Sequence, residues 1–331
     1  MTGILQGFYQ NFRSFQAPSP SPSPSPGPSV ATQGWFAGGK GAGPYPGPVL
    51  SSVDRITYAT DTNTASARGP LSLARFVLAA TGTTNEGWFG GGNSPGARST
   101  VDRITYATDT ATASVRGPLS SAKYGMGATG NATDGWFGGG LDPNIGNLTT
   151  VDRITYATDT ATASVRGPLT ASNRYKAATG NATDGWFAGG FGGDGTSTIV
   201  DRITYATDTA TASVRGPLSV AKYELAGTGN ETNGVFGGGN DYSSLVQRIT
   251  YATDTATASV RGPLSIGRTA PAATGDTTNG WFGGGYAGPP DYPIVSTVDR
   301  ITYATDTATA SVRGPLSVAR RLEAAASNGQ F

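Results

Sequence analysis

The side chains best spaced to do chemistry here are a repeated acid–base pair and a repeated cation. Asp54-Arg55, Asp102-Arg103, Asp152-Arg153, Asp201-Arg202 and Asp299-Arg300 are five Asp–Arg pairs, and the fifth copy in chain order reads Gln247-Arg248. A second series, Arg75, Lys123, Arg174, Lys222, Arg268 and Arg320, follows at the same period. A ring of carboxylates invites general acid–base catalysis, and a ring of cations at a channel mouth invites an anion. Catalytic carboxylates need unlike environments that separate their pKa values, and near-identical copies argue against that. Neighbours on a strand point to opposite faces, so each Asp and Arg is expected to pair with an adjacent strand or repeat instead.

Other chemistries are excluded by residue type. The 331 residues contain no His and no Cys. That removes Ser-His-Asp and Cys-His units, imidazole and thiolate metal ligands, disulfides and iron–sulfur clusters. Phe191-Gly-Gly-Asp194-Gly-Thr-Ser-Thr198 has a calcium-loop flavour but supplies one carboxylate, where calcium takes six to eight oxygens. The Gly-Gly-Gly runs lack a following Lys and helix, so they are not phosphate loops. Asn131, Asn147, Asn181 and Asn230 open N-x-T sequons that read as turn and loop residues. No metal, no cofactor and no catalytic residue is expected. Lys plus Arg is 23 against 22 Asp plus Glu, a net charge of +1, without the basic stripe of a nucleic-acid binder. No apolar run approaches a membrane span, and the N-terminus does not read as a signal peptide.

The elements that must position these residues are repeats. The Arg of D-R-I-T-Y-A-T-D-T recurs at intervals of 48, 50, 49, 46 and 52 residues. Each unit adds G-W-F-x-G-G before it, with Val235 replacing Trp in one copy, and S-V-R-G-P-L after it. One unit reads as four strands: a (77–82), b (87–90), c (101–108) and d (111–116), with Asp109-Thr110 as a tight turn. Gly, Thr and β-branched residues leave no helix signal. Six four-stranded units of 40–50 residues indicate an all-β, six-bladed β-propeller. The chain enters the first unit at strand b, and residues 321–327 look like an unused strand a. The C-terminal strand is therefore expected to complete the first blade and close the ring.

The order G-W-F-G-G-G, variable loop, D-R-I-T-Y-A-T-D-T, G-P-L-S-x-A-R resembles the kelch repeat. The resemblance implies a double Gly ending strand b, the strand-c tyrosines Tyr58, Tyr106, Tyr156, Tyr205, Tyr251 and Tyr303, and the basic position filled by the cation series above. The departure is the Trp, which kelch units place on strand d and which here sits on strand b. The resemblance covers residues 34–331 and speaks to fold, not activity. The copper-radical oxidation of one kelch-like enzyme family lacks its Tyr–Cys and His ligands here, and the Asp-box of sialidase-type propellers is missing. The near-identical Y-A-T-D-T-A-T-A-S-V-R-G-P-L-S units also resemble virion structural proteins of tailed phages, particularly of marine cyanobacteria. That implies a capsid decoration or tail protein, made in the host cytoplasm and carried in multiple copies on the particle surface.

Two further regions bear on partners. Residues 18–33 are a Pro/Ser-rich linker, of which the eleven of 18–28 in polyproline II would reach roughly 34 Å. Before it, residues 1–17 carry Ile4, Leu5, Phe8, Tyr9, Phe12 and Phe15 at helix-like spacing, which reads as a docking peptide for a capsid or tail subunit. With Arg13 the one charged side chain there, membrane-surface binding and insertion are not expected. The b–c loops differ in every unit while the c and d strands are nearly copied. Those loops, with Tyr45, Phe191, Tyr242, Tyr286 and Tyr292, should share one face with the d–a connections and form a contact surface. The sequence thus reads as a non-enzymatic virion structural protein, anchored by its arm and displaying a propeller. The alternative is a carbohydrate-binding, lectin-like propeller for adhesion to host-surface glycan or protein.

Overall fold

The computed structural model describes residues 31–43 and 47–329. Six docking-peptide residues, Ile4, Leu5, Phe8, Tyr9, Phe12 and Phe15, lie outside that range, as does Tyr45. Within it the chain is a six-bladed β-propeller. In blade 2 the strands are a (Ala79–Gly82), b (Glu86–Gly90), c (Val101–Thr105) and d (Ser114–Arg116), antiparallel in the order a-b-c-d. Their register sets Trp88 opposite Thr81 and Arg103. The other blades repeat this pattern, and the six a strands touch one another in a closed circle around the axis. Ring closure follows the expected route. Ala324–Ser327 is strand a of blade 1 and pairs with strand b, Gln33–Ala37, so the first blade is built from both ends of the described chain. The Asn328 side chain seals the joint by accepting from the Thr32 and Gln33 amides at 2.8 and 2.9 Å.

The period-two pattern holds through Thr105 and then stops. Tyr106–Thr108 is a 3-10 turn, not the end of strand c, and the same turn follows every c strand. Tightening the chain there swings the Tyr ring out of its own sheet and onto the neighbouring blade, where Tyr106 stacks on Trp35 with centroids 3.8 Å apart. Trp88–Tyr156, Trp136–Tyr205, Trp186–Tyr251 and Trp281–Tyr58 repeat the stack. This accounts for Trp on strand b: it is the flat partner of the next blade's Tyr. The core therefore lies between blades. One cluster joins Trp35, Val53 and Leu71 of one blade to Phe89, Ile104 and Tyr106 of the next. Buried aromatics dominate such interfaces because each removes 150–250 Å² from water.

Two polar seams run beside the apolar one. The Asp of each T-D-T is more than a turn residue. Asp159 accepts from Trp88 Nε1 at 2.9 Å and from Arg103 Nη1 at 3.2 Å, while its carbonyl accepts from the Gly117 amide at 2.8 Å. Asp61, Asp109, Asp208, Asp254 and Asp306 stand in the same place around the ring. Gly117 is needed there, because a Cβ would collide with the Ala161 carbonyl of the following blade. In the second seam the D-R aspartates bind the connection that feeds their own blade. Asp102 holds Ser72 Oγ at 2.6 Å and Arg75 Nη1 at 2.8 Å, all without solvent contact at the ion pair.

Candidate functional site

The aspartate and cation rings are consumed by this architecture. Asp54, Asp102, Asp152, Asp201 and Asp299 are fully buried, and Arg320, Arg75, Lys123 and Arg268 pair with Asp54, Asp102, Asp152 and Asp299. These four cations are buried within the blades and do not line a channel mouth. Two blades depart from the scheme. In blade 5 Gln247 replaces the acid, and Lys222 Nζ turns to the Asn240 carbonyl at 3.0 Å. In blade 4 the expected basic residue, Arg174, falls one position late. Asn173 occupies the buried place, and Lys176 supplies the charge from the next turn of chain. A strict count from G-P-L-T would have shown the offset. Burial pushes the Lys176 ammonium down to about 8, against the attraction of Asp201. Among the described residues, no group of three or more His, Cys, Asp or Glu is placed to hold a metal ion, and no helix is long and apolar enough to cross a membrane.

What remains accessible is the face where b–c loops meet d–a connections. Its centre is a closed circle of six backbone hydrogen bonds. The amides of Val77, Gly125, Tyr175, Glu224, Ala270 and Leu322 donate in turn to the carbonyls of Leu322, Val77, Gly125, Tyr175, Glu224 and Ala270, at 2.6–3.1 Å. All six donors have positive φ, five of them without being glycine, at a cost on the order of 1 kcal/mol each. The circle narrows one mouth of the central channel. The opposite mouth opens into a cavity of about 120 Å³ walled by Ala80, Ala128, Ala178, Ala273 and the neighbouring threonines such as Thr81 and Thr129.

Around that circle stands a crown of paired positions, one pair per blade, each continuing that blade's a–b ladder. Lys40 faces Arg321, Asn93 faces Phe76, Leu141 faces Tyr124, Phe191 faces Arg174, Asn240 faces Tyr223, and Tyr286 faces Thr269. The backbone geometry is the same at each and the side chains differ at each. Variable groups on a rigid frame are the physical form of a recognition surface. The crown is aromatic and cationic. Lys40 Nζ lies 4.2 Å from the Phe76 ring centre, Arg321 lies 4.7 Å over Tyr286, and Arg174 lies 5.3 Å from both Tyr175 and Phe191.

The expected contact residues divide into two groups. Tyr242, Tyr286 and Tyr292 come together, with ring centres 5.4–6.3 Å apart. Phe191 stands apart from them, edge-on to Tyr223 at 5.4 Å. Sequence reasoning missed Phe76, Tyr124, Arg174, Tyr223 and Arg321 as surface groups. They sit directly after the buried position that holds a cation in the other blades and Asn173 in blade 4, and their signal was variation there within otherwise copied units. Beside the three tyrosines are two open pockets. One, of about 330 Å³, is lined by Ala42, Gly43, Tyr286, Tyr292, Ile294 and Arg321 among others, and one of about 480 Å³ includes Asp241, Tyr242 and Asp291. No protein-family model and no curated protein matches this sequence.

Proposed function

We propose that this protein is a non-enzymatic structural protein of a tailed-phage particle, a capsid decoration or tail component, with a kelch-type propeller. Residues 1–17 dock to a capsid or tail subunit, residues 18–33 act as spacer, and residues 34–331 are turned outward, in many copies on the virion surface. The observation that carries this reading is the division of labour within the propeller: nearly every repeated charge closes a seam within or between blades, and variation is concentrated on one face. The chain enters blade 1 at Gln33, at the end of strand b opposite the crown. An anchor there leaves the crown free, and many copies on one particle multiply weak contacts. The kelch type is supported by the six stacked or bonded tyrosines and by double glycines such as Gly91-Gly92.

The test is particle assembly with a chain lacking residues 1–17. The shortened protein should remain folded and be lost from purified particles. Full incorporation of the shortened chain would remove the docking role.

A second reading, adhesion to carbohydrate, is favoured by the tyrosine cluster. Tyrosine presents a wide, stiff, amphipathic surface, and a shallow pocket with a few convergent polar groups suits a sugar.

A further inference from the structure

Lys40 and Arg321 are directly opposite one another across a two-residue ladder. Like charges directly opposite on a sheet destabilise it. Among the described residues no carboxylate lies within salt-bridge distance of either, whereas the arginines of the interblade seams each reach one. Partial burial, and then the charge of Arg321, also lower the Lys40 pKa. The Glu224 carboxylate feels Arg321 at longer range, and an anion from outside in direct contact would neutralise the pair more fully.

The surroundings specify the anion further. The Arg321 guanidinium lies 4.7 Å from the Tyr286 ring centre, a cation–π contact that holds the cation at the wall of the neighbouring pocket. Tyr286 and Tyr292 wall the same pocket as Arg321. Eight non-glycine residues among those described have positive φ; five belong to the central circle, and the other three are Asp241, Tyr242 and Tyr292. The circle explains the first five. The remaining strain is confined to the segments that present the tyrosines, as expected where strain serves a site.

We propose that Arg321 binds the carboxylate of an acidic saccharide whose ring stacks against Tyr286 and Tyr292, with Lys40 adding its charge from across the ladder. This rests on the carbohydrate reading above and narrows it to hexuronate-type sugars. A single-stranded nucleic acid also combines stacking with charge, but it needs a continuous basic track. Here Asp241 and Asp291 flank the tyrosines on the side away from Arg321, where they would repel a second phosphate and accept from sugar hydroxyls.

The experiment is calorimetric titration of the full chain, at low salt, with tetragalacturonate, its methyl ester, neutral maltotetraose and a ten-residue oligothymidylate. Binding of the acid with at least a tenfold loss for the ester is expected, along with a tenfold or greater loss for Arg321→Ala and partial retention for Arg321→Lys. Tyr292→Ala, at an exposed side chain, gives a second variant whose folding is not at issue, and it should weaken the acid similarly. Equal binding of acid and ester would overturn the charged subsite and leave the sugar reading standing. Failure of the tetragalacturonate to bind overturns the proposal, and failure of maltotetraose as well counts against both. Tighter binding of the oligothymidylate would assign the site to nucleic acid and overturn it too.

Discussion

Glu323 and Lys176 occupy the same structural position in blades 1 and 4, where the other blades carry Leu78, Met126, Leu225 and Pro271. Each is buried and presses on the double glycine of the preceding blade. Burial pushes the Glu323 carboxyl up to about 8, against the pull of Arg320 and Arg268 and with the help of Asp54. The folded state therefore holds this proton more tightly than the unfolded chain does. Its contribution to stability is best below the unfolded value and declines as pH rises from about 4.5 to about 8. Lys176 acts in a different window: its ammonium is disfavoured by burial below about 8, and stability recovers between about 8 and 10.5 as the unfolded chain keeps the proton longer. Two substitutions separate the effects. Glu323→Leu should leave the melting temperature unchanged near pH 4 and raise it by several degrees at pH 8.5. Lys176→Met should raise it most at or below pH 7, with the gain shrinking toward pH 10.5. Scanning calorimetry across that range checks both, and parallel pH curves for variant and parent would contradict the assignment.

Strands were legible in the sequence wherever alternation and punctuation agreed. Ile104 and the G-P stops marked c and d, and the missing first strand a marked the closure. What was not legible came from contacts between blades. Tyr106 fits the alternation of strand c, yet its stacking on Trp35 draws the chain into a 3-10 turn. Asp159 looks like an ordinary turn residue because its partners, Trp88 and Arg103, are more than fifty residues away. Phe191, Tyr242, Tyr286 and Tyr292 were found as loop aromatics, but no periodicity shows that three of them would meet and that Arg321 would lie over one. The closing strand offers a test at this scale. Removing residues 324–331 takes strand a from blade 1, uncovers Trp35 and Phe36, and removes the Ser327 carbonyl that Tyr106 Oη reaches at 3.1 Å. The exposed edge should self-associate, and the melting temperature should fall by on the order of 10 °C or more. A monomer by light scattering with the parental transition would argue that closure contributes little.

The molecule as a whole is a ring whose joints are alike. Each blade gives an aspartate to the Arg, and in five junctions the Trp, of the blade before it, and the last gives its Trp281 and Arg300 to Asp61 of the first. No junction marks a beginning apart from the joint at Asn328. A circular permutant that links residue 329 to residue 31 by a short Gly/Ser segment, and opens between Asn144 and the exposed Ile145, should keep the parental fold. Its melting temperature should fall within a few degrees of the parent; a collapse would show that the order of the blades matters to the ring.

The sewing of blade 1 from both ends has a mechanical consequence. Strand b of that blade is an inner strand, tied by five residue pairs to strand c and by four to the C-terminal strand a. Tension entering through Gln33 along the strand axis would load both ladders at once, in shear, so that their hydrogen bonds share the force instead of opening one by one. A ring closed in this way would be toughest along the line on which a tether pulls.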